Sequence, residues 1–272
     1  MRTSLVGATL SLALLVLAPF AAAHEFWIAP DDFAPEPDRP LVAELANGES
    51  FAGRLLPYDA SHHLLTLLAT PDGVRTWKGE DGERPAVRET TSTAGLHVLA
   101  LETGASLAVH DTLDEFTAFV DEEGAPGIAE RHRAEGLPDT RIVELFTRHA
   151  KALVAVGGEG GVDRPLGLEL EIVALDDPYA NGNEKALDFR LLLDGEGVAD
   201  TQVSLFHKAD GAESARERVT TRTDASGRFT VEAALPGRYL LNAVLLRRPS
   251  PSRMLESGAL WESLWASLTF AR

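Results

Sequence analysis

Cysteine is absent from all 272 residues. That one absence excludes disulfides, thiolate zinc sites, cysteine nucleophiles and a lipid-modified N-terminal cysteine. Any metal site must use nitrogen and oxygen donors, which suit nickel, copper(II) or zinc better than copper(I). Basic residues are also scarce: 25 Lys and Arg stand against 42 Asp and Glu, a formal charge of −17. Such a surface repels nucleic acid and anionic membranes. It attracts cations weakly and without selectivity, so the charge alone is solvated surface. No Gly-x-Ser-x-Gly, P-loop or His-Glu-x-x-His occurs. Asp and Glu are numerous enough to pair by chance, and Asp31-Asp32 and Asp176-Asp177 read as loop caps and turns.

What is present begins with an export pattern. Met1-Arg2-Thr3 is a short positive start, Leu5 to Phe20 is apolar, and Ala21-x-Ala23 fits the small-residue cleavage rule. Residues 1–23 therefore read as a signal peptide, which places the mature chain in the periplasm or outside the cell. No later segment is apolar enough to span a membrane. Cutting after Ala22 or Ala21 would put Phe20 or Pro19 where a small residue is wanted, so the rule selects His24 as the new N-terminus. A free α-amine beside the His24 imidazole is a two-nitrogen chelate for one metal ion. The reference pKa of such an amine, ~7.7–8.0, makes its deprotonation easy at neutral pH.

Beyond His24 the chain reads as mainly β. Leu41 to Leu45 is a candidate strand closed by a turn at Asn47-Gly48. Leu64 to Leu68, Pro71-Asp72-Gly73 and Val74 to Trp77 form a hairpin with turn chemistry at its tip. Gly95 to Leu101 is apolar on both faces, a buried strand, with Ala105 to His110 as its neighbour. The period then changes. Asp111 or Thr112 caps a helix with Phe116, Phe119 and Val120 on one face and Gly124 as its stop, followed by a helical piece over Ile128 to Glu135. Val143 to Val156 is mainly strand, and Leu168 to Ile172 alternates as a half-exposed one. Asp176 to Asn183 reads as a domain boundary. Beyond it, strands at regular spacing are punctuated by Asp194-Gly195, Asp210-Gly211, Ser226-Gly227 and Pro236-Gly237, the pattern of a small antiparallel sandwich. The expected architecture is two β-sandwich domains, 24–176 with a helical insertion near 111–136, and 184–272.

Thr223-Asp224-Ala225-Ser226-Gly227 followed by Pro236-Gly237-Arg238-Tyr239 resembles the turn and corner of transthyretin-like, or carboxypeptidase-regulatory-like, sandwiches. There Asp and Gly serve a tight turn, and a tyrosine hydroxyl closes a corner. More of the chain is similar to a bacterial periplasmic family catalogued as a domain of unknown function and often labelled nickel-uptake or cobalt/nickel-transport associated. The resemblance rests on His24-Glu25-Phe26-Trp27, Leu56-Pro57-Tyr58-Asp59, Arg164-Pro165-Leu166-Gly167, Asp177-Pro178-Tyr179 and Trp261 to Phe270. It implies an exported two-sandwich protein that binds nickel, with His24 as the position carried over. Members often have a histidine late in the Arg238 to Leu246 strand, where this chain has Val244-Leu245-Leu246.

A usable site needs ligands beyond His24. His62 and His63 are adjacent in a loop beside Asp59, where both rings can turn inward. His97 lies in a buried strand, where a histidine must be hydrogen-bonded or ligated. His110, ending the next strand, would approach it across a hairpin. His132, His149 and His207 fit packing roles better. Trp261 and Trp265 share a strand face, which favours packing over a sugar platform. The expected function is an exported protein that binds nickel, or else cobalt or copper, and hands it to a membrane transporter, supplying ligands and no catalysis. Two alternatives are a copper oxygenase with a histidine brace and a structural or adhesive module without a site.

Overall fold

The computed structural model describes residues 24–180, 186–212, 214–216 and 218–272. The expected signal peptide, residues 1–23, and the Asn181-Gly182-Asn183 end of the expected boundary lie outside the described residues. In chain order the strands are β1 (Glu25–Pro30), β2 (Pro40–Glu49), β3 (Ala52–Leu56), β4 (His63–Thr70), β5 (Gly73–Thr76), β6 (Val87–Thr90), β7 (Gly95–Thr103) and β8 (Ser106–Thr112). Two helices follow, α1 (Leu113–Glu122) and α2 (Gly127–Ala134), then β9 (Thr140–Val156), β10 (Leu170–Ala174), β11 (Ala186–Leu193) and β12 (Glu196–Gly197). The chain continues through β13 (Gln202–Lys208), β14 (Val219–Arg222), β15 (Arg228–Glu232), β16 (Arg238–Arg247), α3 (Pro251–Ser257) and β17 (Trp261–Ala271).

These strands build three stacked layers, mainly β as expected. A nine-stranded sheet in the order β14-β13-β16-β17-β9-β7-β4-β5, with β8 added on β9, forms the middle. A four-stranded sheet of β1, β2, β3 and β6 covers one face, and one of β10, β11, β12 and β15 covers the other. The period of two along β9 explains how one strand serves both. Ala150, Ala152, Val154 and Val156 pack with Phe26, Ile28 and Leu45 of the first sheet. Leu153 packs with Ile172, Phe189 and Phe229 of the second. The helices extend the first layer, bringing Phe116 and Val120 onto Ile142, Trp261 and Trp265.

Local chemistry accounts for the elements. Thr112 Oγ1 accepts the Glu115 amide and caps α1, while Glu115 reaches back to the Asp111 amide. Asp224 Oδ1 accepts the amides of Ser226 and Arg228, and Gly227 completes that turn at φ 81°. Tyr239 Oη donates to the Leu235 carbonyl at 2.7 Å and accepts from its amide at 3.0 Å, closing the corner expected for this tyrosine.

Four expectations change. Asn47-Gly48 is not a turn: β2 runs through it and reverses at Ser50 and Phe51, both with positive φ, as a two-residue hairpin turn requires. Ala105 to His110 does not pair with the buried strand. β9 is 17 residues long and holds β7 along its second half and β8 along its first. His97 therefore sits opposite Val154 and His110 opposite Ile142, roughly 40 Å apart along the strand at ~3.3 Å per residue. The alternating Leu168 to Ile172 is not half exposed, because β10 is buried on both faces. Its Glu171 and the Lys151 of β9 ion-pair at 3.0 Å inside the protein. Finally, hydrogen bonding crosses the expected boundary, since β10 pairs with β11 and β17 lies parallel to β9. The two sandwiches share their central sheet.

Candidate functional site

His24 enters β1 with its backbone pinned. The Asn47 side-chain amide donates to the carbonyls of His24 and Glu25 at 3.2 and 3.0 Å, and the Arg148 guanidinium donates to the His24 carbonyl at 3.4 Å. Arg148 is itself held between aromatic faces, 4.5 Å from the Phe146 ring centroid and 5.9 Å from that of Phe26. Burial lowers its pKa to about 10, against the opposing pull of Glu144. Sequence reasoning missed both Asn47 and Arg148. An Asn before a Gly reads as a turn residue, and an Arg in an alternating strand reads as solvent-facing.

Carboxylates gather around this entry. Burial, then the nearby charges of Glu49 and Glu122, raises the Glu25 pKa to about 7. Glu123, at the C-terminal end of α1, is raised to about 8 by burial and then by the charge of Glu25. Glu144 is fully buried. It accepts the His110 Nε2–H at 2.6 Å and the Ser263 hydroxyl, and Ser263 accepts the Trp265 indole N–H at 2.9 Å. No short motif announces these acids, because they come from β1, α1 and β9.

Four of the five histidines singled out for ligation are linked, directly or through one neighbour, to the Glu144–Arg148 stretch of β9. His24 is tied to Arg148 as above. Thr103, the register partner of His63, accepts the Arg148 amide on its hydroxyl. His62 Nε2 lies 3.4 Å from the hydroxyl of Ser106, which pairs with Phe146. His110 sits on Glu144, stacked against Phe119 at 5.1 Å. The fifth, His97, lies elsewhere and is a hydrogen-bonded core residue. Its Nδ1–H donates to the Gly95 carbonyl at 3.0 Å, and its Nε2 accepts the Thr91 hydroxyl at 2.8 Å. With both ring nitrogens engaged and the ring fully buried, no lone pair is free for a metal.

The same region is not a closed ligand cage. His63 Nδ1 lies 3.3 Å from the Asp59 amide, whose N–H it accepts, and burial lowers the His63 pKa. Among the described residues, no three His, Asp or Glu side chains converge as a ready metal-binding set. An N-terminal chelate differs in kind, because amine and imidazole supply two donors from one residue. The remaining histidines pack. His132 accepts the Trp261 indole N–H and donates to the Pro138 carbonyl, both at 2.9 Å. His149 donates to the Trp265 carbonyl, and burial lowers its pKa to about 4. His207 bonds the Pro236 carbonyl at 3.0 Å. A separate cleft of about 460 Å³, lined by Trp27, Phe33, Phe51, Lys208 and Arg238 among others, includes no histidine.

The chain is mainly β, with strands in three hydrogen-bonded sheets among the described residues. It belongs to the family described as a domain of unknown function, DUF4198, which matches residues 21–247. No curated protein matches. Among solved structures, the D0-D1 domain of intimin aligns over 91% of this chain and 98% of its own, at 11% identity and a TM-score of 0.18. A tetra-tandem repeat from the extending region of a large adhesion protein aligns over 90% of this chain and 49% of its own, at 11% identity and a TM-score of 0.21. Likeness at those scores carries no functional argument. No described helix is long and apolar enough to cross a membrane.

Proposed function

We propose that this is an exported metal-binding protein that takes nickel, or else cobalt or copper, on the amine and imidazole of a processed His24 and passes it to a membrane transporter. The observation that supports this reading best is that His24, His62, His63 and His110 are each linked, directly or through one neighbour, to the Glu144–Arg148 stretch of β9. Two arrangements make the place suitable for a cation. The His24 carbonyl is fixed by Asn47 and Arg148, so the amine and ring start from an ordered residue. Glu25 and Glu123 hold their protons to about pH 7 and 8 because burial and mutual repulsion disfavour their anions. A divalent cation relieves the same repulsion that the protons relieve. The open arrangement suits a carrier that must release its ion.

The test is thermal melting of the mature protein, its N-terminus established by intact mass, with nickel, cobalt, copper and zinc in turn. A site saturated at ~100-fold excess over Kd adds ~2.7 kcal/mol, a rise of roughly 5–11 °C at the 2–4 °C per kcal/mol of a chain this long. A rise with one metal that disappears when Gly precedes His24 supports the chelate. No rise with any of the four metals removes this reading in favour of a structural module.

A further inference from the structure

We propose that Lys151 and Asp163 join through an intramolecular isopeptide bond, with Glu171 as the proton carrier. The three side chains form an isolated ionic cluster inside the protein, exposed by only 0%, 5% and 2%. Lys151 Nζ stands 3.0 and 2.9 Å from the two carboxyl oxygens of Asp163, and 3.0 Å from Glu171 Oε1. An amine that faces both oxygens of one carboxyl group is within reach of the carbon between them. Fixed juxtaposition of this kind replaces an encounter with an intramolecular step.

The surroundings complete the chemistry. The Arg164 and Ala174 amides donate to Asp163 Oδ1 and Oδ2 at 2.8 and 2.9 Å. Such fixed donors stabilise the oxygen charge of a tetrahedral intermediate. Glu171 is oriented by the amides of Leu166 and Gly167 at 2.8 to 3.0 Å, with Oε1 still turned to Nζ. Buried charges are costly to hold apart from water. One proton moves from the ammonium to Asp163, leaving a neutral amine and a neutral acid. Nζ adds to Cγ, and Glu171 takes a second proton from nitrogen and gives it to the departing hydroxyl. The Nζ–Cγ bond forms, a Cγ–O bond breaks and one water leaves. No oxidant or cofactor is consumed, and Glu171 ends as it began, accepting the new amide N–H. The link would give a cysteine-free chain a covalent tie between β9 and the segment leading to β10.

Mass spectrometry of the denatured mature protein tests this directly. The expected mass is one water below that of the linear sequence from His24 to Arg272. Trypsin should then fail to cut after Lys151. Further cleavage after Glu159 should leave two fragments still joined, with fragmentation placing the branch at Lys151 and Asp163. The E171Q variant should carry the unmodified mass while wild-type circular dichroism shows that it folds. The wild-type result decides the matter even where that variant fails to fold. An unmodified wild-type mass overturns the proposal. So does a lost water with cleavage after Lys151 retained, which marks a succinimide, or a branch located at Glu171.

Discussion

The guanidinium of Arg148 donates to the carbonyl of His24 across 3.4 Å, tying the start of β1 to the middle of β9. Because the contact uses the backbone, the His24 side chain is structurally dispensable. His24→Ala should therefore abolish tight metal binding while leaving the metal-free stability within about 0.5 kcal/mol, as for surface substitutions. Calorimetric titration with nickel, paired with a urea melt, checks both halves. Unchanged nickel affinity would exclude the N-terminal chelate.

The acids beside that contact make stability depend on pH in an unusual direction. Glu25 and Glu123 titrate near 7 and 8 when folded, against ~4.3 for an unfolded glutamate. The folded state therefore binds more protons between those values, so their contribution is greatest at low pH and is lost as pH rises through 7 to 8. Each group contributes a slope of up to ~1.4 kcal/mol per pH unit. Replacing both with Gln should flatten this decline, so the variant gains on the wild type between about pH 4 and 8. Urea midpoints across that range measure it, and parallel curves would contradict the assignment.

His132 joins the helical layer to the central sheet through the Trp261 indole and the Pro138 carbonyl. The indole contact is buried and the carbonyl contact partly so. His132→Ala should strand the indole N–H at a cost of ~1–3 kcal/mol, before any term for the cavity. His132→Gln offers an acceptor and a donor again and should recover part of the loss. Chemical denaturation of the two variants separates hydrogen bonding from volume.

Gly48 faces Gly53 across the β2–β3 hairpin. A methyl group on Gly48 would collide with the Ala52 carbonyl and the Gly53 backbone. Gly48→Ala should cost at least the ~1–3 kcal/mol typical of overpacking, read as a drop in melting temperature. A neutral result would mean that the hairpin relaxes at little cost.

Local signals carried much of the fold. The Thr112 cap, the Pro71-Asp72-Gly73 tip and the Tyr239 corner each depend on a few neighbouring residues, and each formed where the pattern put it. Pairings decided at long range were hidden. Nothing in Ala105 to His110 tells that β9 is long enough to hold β8 beside β7, and that length separates His97 from His110. Glu171 reads as an exposed residue of an alternating strand until its partner, Lys151, arrives from another element. The candidate site was legible at His24, His62, His63 and His110 as single residues. Their common neighbourhood on β9 was not, because it depends on the sheet order.

The placement of β17 has a consequence for the order in which the protein can mature. Residues 261–271 are made after every other described strand, yet they fill the slot between β16 and β9 in the middle of the central sheet. Until they arrive, both neighbours present open edges and the halves of the sheet have nothing between them. Contacts of such sequence separation form slowly. A growing chain would therefore leave its central sheet unclosed until residues 261–271 are available, which makes β17 the keystone of the sheet.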